Sequence, residues 1–310
     1  MRNIFTNKNS QLRSGWKITI VYLSFFFAMN ILALIFGLVL MIYEMATNNM
    51  TAEQLIEWSN NLDKTLTNIN TGLGFTLNLL QCLLLIFFTI LFWKIFDKRP
   101  IRDIGMINIK KGYKDLIKGL LFGAISLLVV FAILLLSGNI ALARPLTEPN
   151  FNISLITSLI LFIFVGINEE MFVRGYCMTV LKQTGKSSVV VIVSSIIFSL
   201  MHSFYPGMNI LSYINLFLFG LLTAYMTIKS KNIWLAIGYH LTWNYFEGNI
   251  CGFLVSGLET NSLFTLEKVT PNILNGGSFG PEGGLVVTFI LLLSYLYMWK
   301  VYKPKLEARD

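Results

Sequence analysis

The sequence predicts an all-α, polytopic membrane protein with about eight transmembrane helices and both termini in the cytoplasm. Three observations carry that reading. Hydrophobic residues make up 55% of the chain and charged residues only 13%, too apolar a mixture for a soluble globular surface. Nearly uncharged stretches of about 18 residues or more recur along the whole length. The 24 Lys and Arg residues alternate between connections that are rich in positive charge and connections nearly devoid of it, as expected when cytoplasmic loops hold the excess.

The apolar stretches fall at 17–43, 73–95, 117–142, 153–175, 187–203, 210–228, 233–256 and 284–302. The first, "WKITIVYLSFFFAMNILALIFGLVLMIY", is about twice the length of a signal peptide's apolar region and has no small-residue cleavage site, so it is expected to be a retained helix. Arg2, Lys8, Arg13 and Lys17 precede or open it. Lys94, Lys98, Arg99, Arg102, Lys110, Lys111, Lys114 and Lys118 follow the second stretch. Arg174, Lys182 and Lys186 follow the fourth, Lys229 and Lys231 the sixth, and Lys300, Lys303, Lys305 and Arg309 the eighth. Only Lys64, Arg144 and Lys268 fall in the alternate connections, so an even number of spans satisfies the rule. The net charge of +8 therefore reports topology. It does not point to nucleic acid, because the basic residues are scattered over five juxtamembrane segments and no soluble domain gathers them on one face.

One membrane domain, 1–310, accounts for the chain, with a core at 110–250. The segments 44–72 and 257–283 are expected as extracytoplasmic loops without catalytic residues. In the first, "TAEQLIEWSNNLDKTL" has near-helical spacing with Thr51 as its cap. The second ends in "NGGSFGPEGG", where Pro281 and Glu282 suit a helix first turn. Cys82, Cys177 and Cys251 show no metal-ligand spacing and, being odd in number, no disulfide framework; they read as packing residues.

The fourth stretch raises a question, because it ends in "GINEEMFVRGY", with Glu169, Glu170 and Arg174 in an apolar setting. Nothing breaks the helix before Gly185, so it should run to about Gln183 and turn there into the fifth stretch, making a hairpin centred near residue 185. Glu169 and Glu170 lie about 15 residues before that turn and His202 about 17 after it, each roughly 20–25 Å away at 1.5 Å per residue. His240 and Asn244 lie roughly 12 and 18 Å along the seventh stretch, counted from the turn at Lys231. The two histidines of the chain thus share a depth with the carboxylates. Each ionisable group at a helix centre costs roughly 2.5–3.5 kcal/mol on insertion. An intrahelical Glu170–Arg174 pair offsets part of that, and a buried neutral histidine bonded to a neighbouring helix is a common bland outcome. Neither explains Glu169 together with both histidines.

Adjacent carboxylates in a low-dielectric cavity repel, so one holds a proton while the other stays ionised beside a cation, which puts an acid and a base in one place. Such a set can activate water. His202 would share the proton or hold the water, and His240 and Asn244, four apart on one face, would donate to a developing oxyanion in hydrolysis of an acyl bond. The same donor types, Glu169, His202 and His240, would alternatively hold a divalent metal such as zinc with one position open. There is no HExxH, phosphate loop or dinucleotide fingerprint. Glu247 is expected to face water at the outer end of a wet funnel, and Trp234, Tyr239, Trp243, Tyr245 and Phe246 to pack or sit at an interface.

The segments "EEMFVR" (169–174), "FSLMH" (198–202) and "HLTWN" (240–244) resemble the EExxxR, FxxxH and HxxxN motifs of the CPBP family of intramembrane proteases, in the family order and each on its own helix. That family includes the CAAX prenyl endopeptidases of eukaryotes and bacterial proteins linked to bacteriocin immunity or abortive infection. The resemblance covers about residues 110–250 and implies Glu169 as general base, Glu170 and Arg174 shaping its charge, His202 orienting water, and His240 with Asn244 stabilising the oxyanion. Whether the family uses a metal has been argued both ways, and the resemblance leaves metallo- and glutamate-type chemistry equally open. Phe198 is expected to pack. The implied substrate is a membrane-embedded or membrane-delivered protein or peptide. The Asn, Lys and Ile usage points to a bacterial plasma membrane. Two other classes compete: a membrane immunity or scaffold protein acting by partner binding, and a proton-coupled transporter, which would need a repeat of discontinuous helices that the two halves lack.

Overall fold

The computed structural model describes residues 4–7, 9–48, 50–267 and 270–302, and the backbone alone at 52, 60, 63–65 and 67. Arg2, Lys8, Lys268, Lys303, Lys305 and Arg309 lie outside the described residues, as does the side chain of Lys64. The structure is 72% helical with no strand among the described residues. The helices are α1 (Ser14–Asn48), α2 (Ala52–Thr67), α3 (Gly72–Phe96), α4 (Ile109–Leu136), α5 (Ser154–Glu170), α6 (Met178–Leu181), α7 (Ser187–Met201), α8 (Ile210–Ser230), α9 (Trp234–Tyr245) and α10 (Leu285–Val301).

All eight predicted stretches are helical. Among the described residues, five helical stretches are long and apolar enough to cross a membrane: Ser14–Asn48, Gly72–Phe96, Ile101–Leu136 with a non-helical break at 105–108, Ser154–Thr184 and Ile210–Ser230. The α7, α9 and α10 helices have 15, 12 and 17 residues, short of the roughly 20 that a full crossing needs. Boundaries move for identifiable reasons. Asn108 caps α4 by accepting from the Lys110 amide at 2.9 Å, which starts the helix in its lysine-rich first turns, where hydropathy is low. The expected loop at 44–72 is mostly helix: α1 runs on to Asn48, and α2 opens with a reciprocal capping box between Thr51 and Gln54 (3.3 and 2.9 Å). The stretch 233–256 stops being helical at Ile250, and Gly252 follows with φ +76°.

The hairpin of the fourth and fifth stretches forms as its spacing predicts. Helical structure continues from Ser154 to Thr184, and Gly185 takes φ +69° while its amide bonds Lys182 O at 3.0 Å. The unexpected feature is a π-helical turn, Met171–Cys177, beginning one residue after Glu170 and containing Arg174. A second π-helical turn, Phe246–Ile250, follows Asn244. Such turns widen the helix and re-aim the side chains next to them.

The helices that carry the charged residues are held by backbone approach. In α4, Gly119 and Gly123 stand four apart and press on the backbone of α9, where a Cβ on either glycine would overlap Leu235 O or Tyr239 O; Gly238 of α9 meets Leu116 O in return. Small residues at this spacing let membrane helices pack closely enough for dispersion to hold them. Beneath them, buried Asp115 accepts from Asn232 Nδ2 at 2.7 Å and from the Tyr302 hydroxyl at 3.1 Å, tying α4 to the α8–α9 turn and to the end of α10. The core around α9 is aromatic, with Tyr239 and Trp243 packed on Phe219 of α8. The depth of His240 and Asn244 is therefore set by the α4–α9 contact.

Candidate active site

Five of the six residues singled out from the sequence, Glu169, Glu170, Arg174, His202 and His240, each bring a charge-bearing side-chain atom within 4.0 Å of another of the set. Glu170 is fully buried. Its Oε1 accepts from His240 Nδ1 at 3.0 Å, and its Oε2 lies 3.3 Å from Arg174 Nε. The Glu170–Arg174 pair is thus intrahelical, as the four-residue spacing predicts. Arg174 Nε also donates to Thr223 Oγ1 at 2.8 Å, and its guanidinium carbon sits 4.8 Å from the Phe198 ring centroid. Phe198 packs, as expected, between Phe219, His202 and His240.

Glu169 points the other way. Its Oε2 lies 3.9 Å from His202 Nε2 and 4.0 Å from His240 Nε2, and makes no direct hydrogen bond. The two imidazoles are oriented by their other nitrogens. His202 Nδ1 faces Phe198 O at 2.9 Å, and a carbonyl can only accept, so Nδ1 carries the proton. His240 Nδ1 faces the Glu170 carboxylate that pairs with Arg174 and is the natural donor to it. Neutral, both rings then turn an Nε2 lone pair toward Glu169 Oε2. One carboxylate oxygen and two imidazole nitrogens face a gap about as wide as a single water, which can donate to only two of them and accepts from the third, His240 Nε2, when that ring is protonated.

These donor types are also those of a zinc site whose outer partners, Phe198 O and Glu170, are in place. The separations of 3.9 and 4.0 Å exceed the roughly 3.3 Å expected between ligands about 2.0–2.1 Å from one zinc. Among the described residues no group of His, Cys, Asp and Glu stands at metal-ligating spacing. The spacing suits water held by the chain's own groups.

Glu169, His202 and Asn244 line a cavity of about 60 Å³ with Tyr205 and Cys82. That holds water and excludes a peptide. Arg174 lies behind Glu170, away from this cavity. The outer wall is a surprise: Val255, Ser256, Leu258 and Thr260 come from the connection after α9, whose downstream part, 257–283, reads in the sequence as a loop without a role. Ser256 adopts φ +47° and donates to Glu282 Oε2 at 2.6 Å, while Glu282 Oε1 accepts from Trp243 Nε1 at 3.2 Å, next to Asn244. Glu282 is only 5% exposed. The Pro281–Glu282 pair reads as a helix first turn, which hides this long-range bonding. The turn itself is present, as a 3₁₀ turn over Pro281–Gly283 before α10.

Glu247 corrects an expectation. It is fully buried, with neither carboxylate oxygen bonded, and it does not line the cavity. The π-helical turn that starts at Phe246 changes the phase of the helix, so a residue seven after His240 no longer shares its face. The cysteines are free and buried, as expected of packing residues.

Residues 151–246, about a third of the chain, match the family model described as Type II CAAX prenyl endopeptidase Rce1-like. The match spans α5 to α9 and contains all three motifs, so this segment is similar to that family, in agreement with the resemblance the motifs carry. No curated protein and no solved structure matches the chain.

Proposed function

We propose that this CPBP-type membrane protein is an intramembrane endopeptidase that hydrolyses a peptide bond in a membrane-delivered protein or peptide. The observation that carries the reading is the convergence of Glu169 Oε2 with two imidazole Nε2 atoms whose orientation is set from behind. A water in that gap is positioned to lose a proton to Glu169 as its oxygen attacks the scissile carbonyl. The carbonyl π electrons move onto oxygen, and the oxyanion is met by Asn244 and by His240 in its protonated form, which Glu170 stabilises at Nδ1. Collapse of the tetrahedral intermediate breaks the C–N bond, and Glu169 returns the proton to the leaving amine. His202 holds the water through Nε2. Arg174 and His240 occupy both oxygens of Glu170, so Glu170 orients His240 and leaves base chemistry to Glu169.

A cavity of about 60 Å³ does not admit the substrate. Entry requires the Val255–Thr260 wall to move, which makes that wall part of substrate selection.

The test is cleavage of a membrane-delivered peptide library by purified wild type and by Glu169→Ala, with products identified by mass spectrometry. Cuts by wild type alone support the proposal. An inert wild type whose cellular effect survives Glu169→Ala overturns it in favour of a protein that acts by binding a partner.

A further inference from the structure

A second, larger cavity of about 440 Å³ lies on the other side of Arg174, between residues 101–105, the turn after α6 and the end of α8. These are connections that the charge distribution assigns to the cytoplasmic side. Arg102, Arg174, Lys182 and Lys231 line it; Arg174 pairs with Glu170 and Lys231 is engaged elsewhere, which leaves Arg102 and Lys182 facing one carboxylate, Asp103. That carboxylate is already engaged by Arg99 at 2.9 Å and by Arg102 at 3.8 Å. The excess of cations calls for an anion.

Arg174 supplies the independent observation. Its Nε is used by Thr223 and Glu170, but Nη1 and Nη2, on a side chain 1% exposed, have no partner. A guanidinium does not deprotonate in proteins, and burying it with terminal donors unsatisfied is costly. Its fork matches two oxygens of a phosphate or carboxylate. The additional cations at the rim favour the higher charge of a phosphate. The remaining wall sets apolar Ile104, Met178, Val190 and Ile228 beside the polar side chains of Thr179, Ser187, Thr227 and Asn232. Ile228 is also exposed on the outer surface, as are Ile192 and Ile196 of α7, which offers a path for acyl chains beside the polar cavity.

We propose that this cavity binds a phosphate group, carried by an anionic phospholipid headgroup or by a small phosphate ester. The occupant would sit one guanidinium away from Glu170. The inference stands apart from the protease reading, because its readout is binding.

The test is native mass spectrometry of the full chain in detergent with phosphatidylglycerol or phosphatidylcholine, each with and without glycerol 1-phosphate. Wild type should retain one phosphatidylglycerol in preference to phosphatidylcholine. Arg102→Gln with Lys182→Gln, at exposed side chains, should lower that adduct about tenfold or more. Thr179→Trp, which fills the cavity and keeps its charges, should abolish it, while Arg144→Gln in a distant loop should not. Displacement by glycerol 1-phosphate, with its own adduct, assigns the site to soluble phosphate esters; persistence of the lipid adduct assigns it to lipid. Equal retention of the two lipids without a glycerol 1-phosphate adduct, or an adduct that survives both the charge variant and Thr179→Trp, overturns the proposal.

Discussion

Glu170 and His240, seventy residues apart, are joined by a 3.0 Å hydrogen bond that links α5 to α9 through a fully buried carboxylate. The same carboxylate balances Arg174. Glu170→Gln keeps the shape, removes the charge and leaves the guanidinium uncompensated. Loss of one partner of a buried pair costs about 3–5 kcal/mol, so detergent melting should fall sharply, and more than for Glu169→Gln.

Glu169 is 13% exposed and makes no direct hydrogen bond. Glu169→Gln should therefore leave stability close to wild type while lowering cleavage by about 10²–10⁴-fold, the usual worth of a general base. Side-by-side melting and product yield separate the two glutamates. Equal loss of stability in both variants would sink the division of roles.

Gly119 is where α4 touches the α9 backbone. Gly119→Val forces the helices apart, at a cost of about 1–3 kcal/mol or more. Since α9 carries His240 and Asn244, cleavage should be lost while Glu169 and His202 remain in place. Gly138→Ala at the end of α4, where a Cβ meets nothing within 4 Å but φ is +70°, should cost only backbone strain. Melting and activity of the two variants give the comparison.

Glu282 joins Ser256 of the cavity wall to Trp243 of α9. Glu282→Ala leaves two buried donors unpaired, at about 1–3 kcal/mol each. Ser256→Ala removes one donor and leaves the Trp243 bond intact, so it should cost less in stability. If the wall selects substrate, Ser256→Ala should change KM more than kcat, which steady-state kinetics on a cleaved peptide would read.

The 3.9 and 4.0 Å separations around Glu169 favour water over a metal, so cleavage should survive exhaustive chelation. Loss of activity that zinc alone restores would mean that Glu169, His202 and His240 close to ligating distance in the working enzyme.

Much of this protein was legible in its sequence because the governing rules are local. Apolar length marks helices. A rise of 1.5 Å per residue puts Glu169, His202, His240 and Asn244 at one depth, and three short motifs name the chemistry they resemble. Thr51 and Gly185 announce their cap and turn by residue type alone. What tertiary structure alone decided depends on contacts between residues far apart in sequence. The π-helical turns at Met171–Cys177 and Phe246–Ile250 depart from the regular helix that periodicity assumes, and Glu247, in the second of them, is buried. The identity of the nitrogen that carries each imidazole proton follows from Phe198 O and Glu170, which no spacing reveals. The return of the 255–282 segment onto the cavity rests on Glu282, whose position before α10 looks like ordinary helix punctuation. Helical periodicity specifies where a side chain stands along its own helix; packing against other helices specifies what it meets.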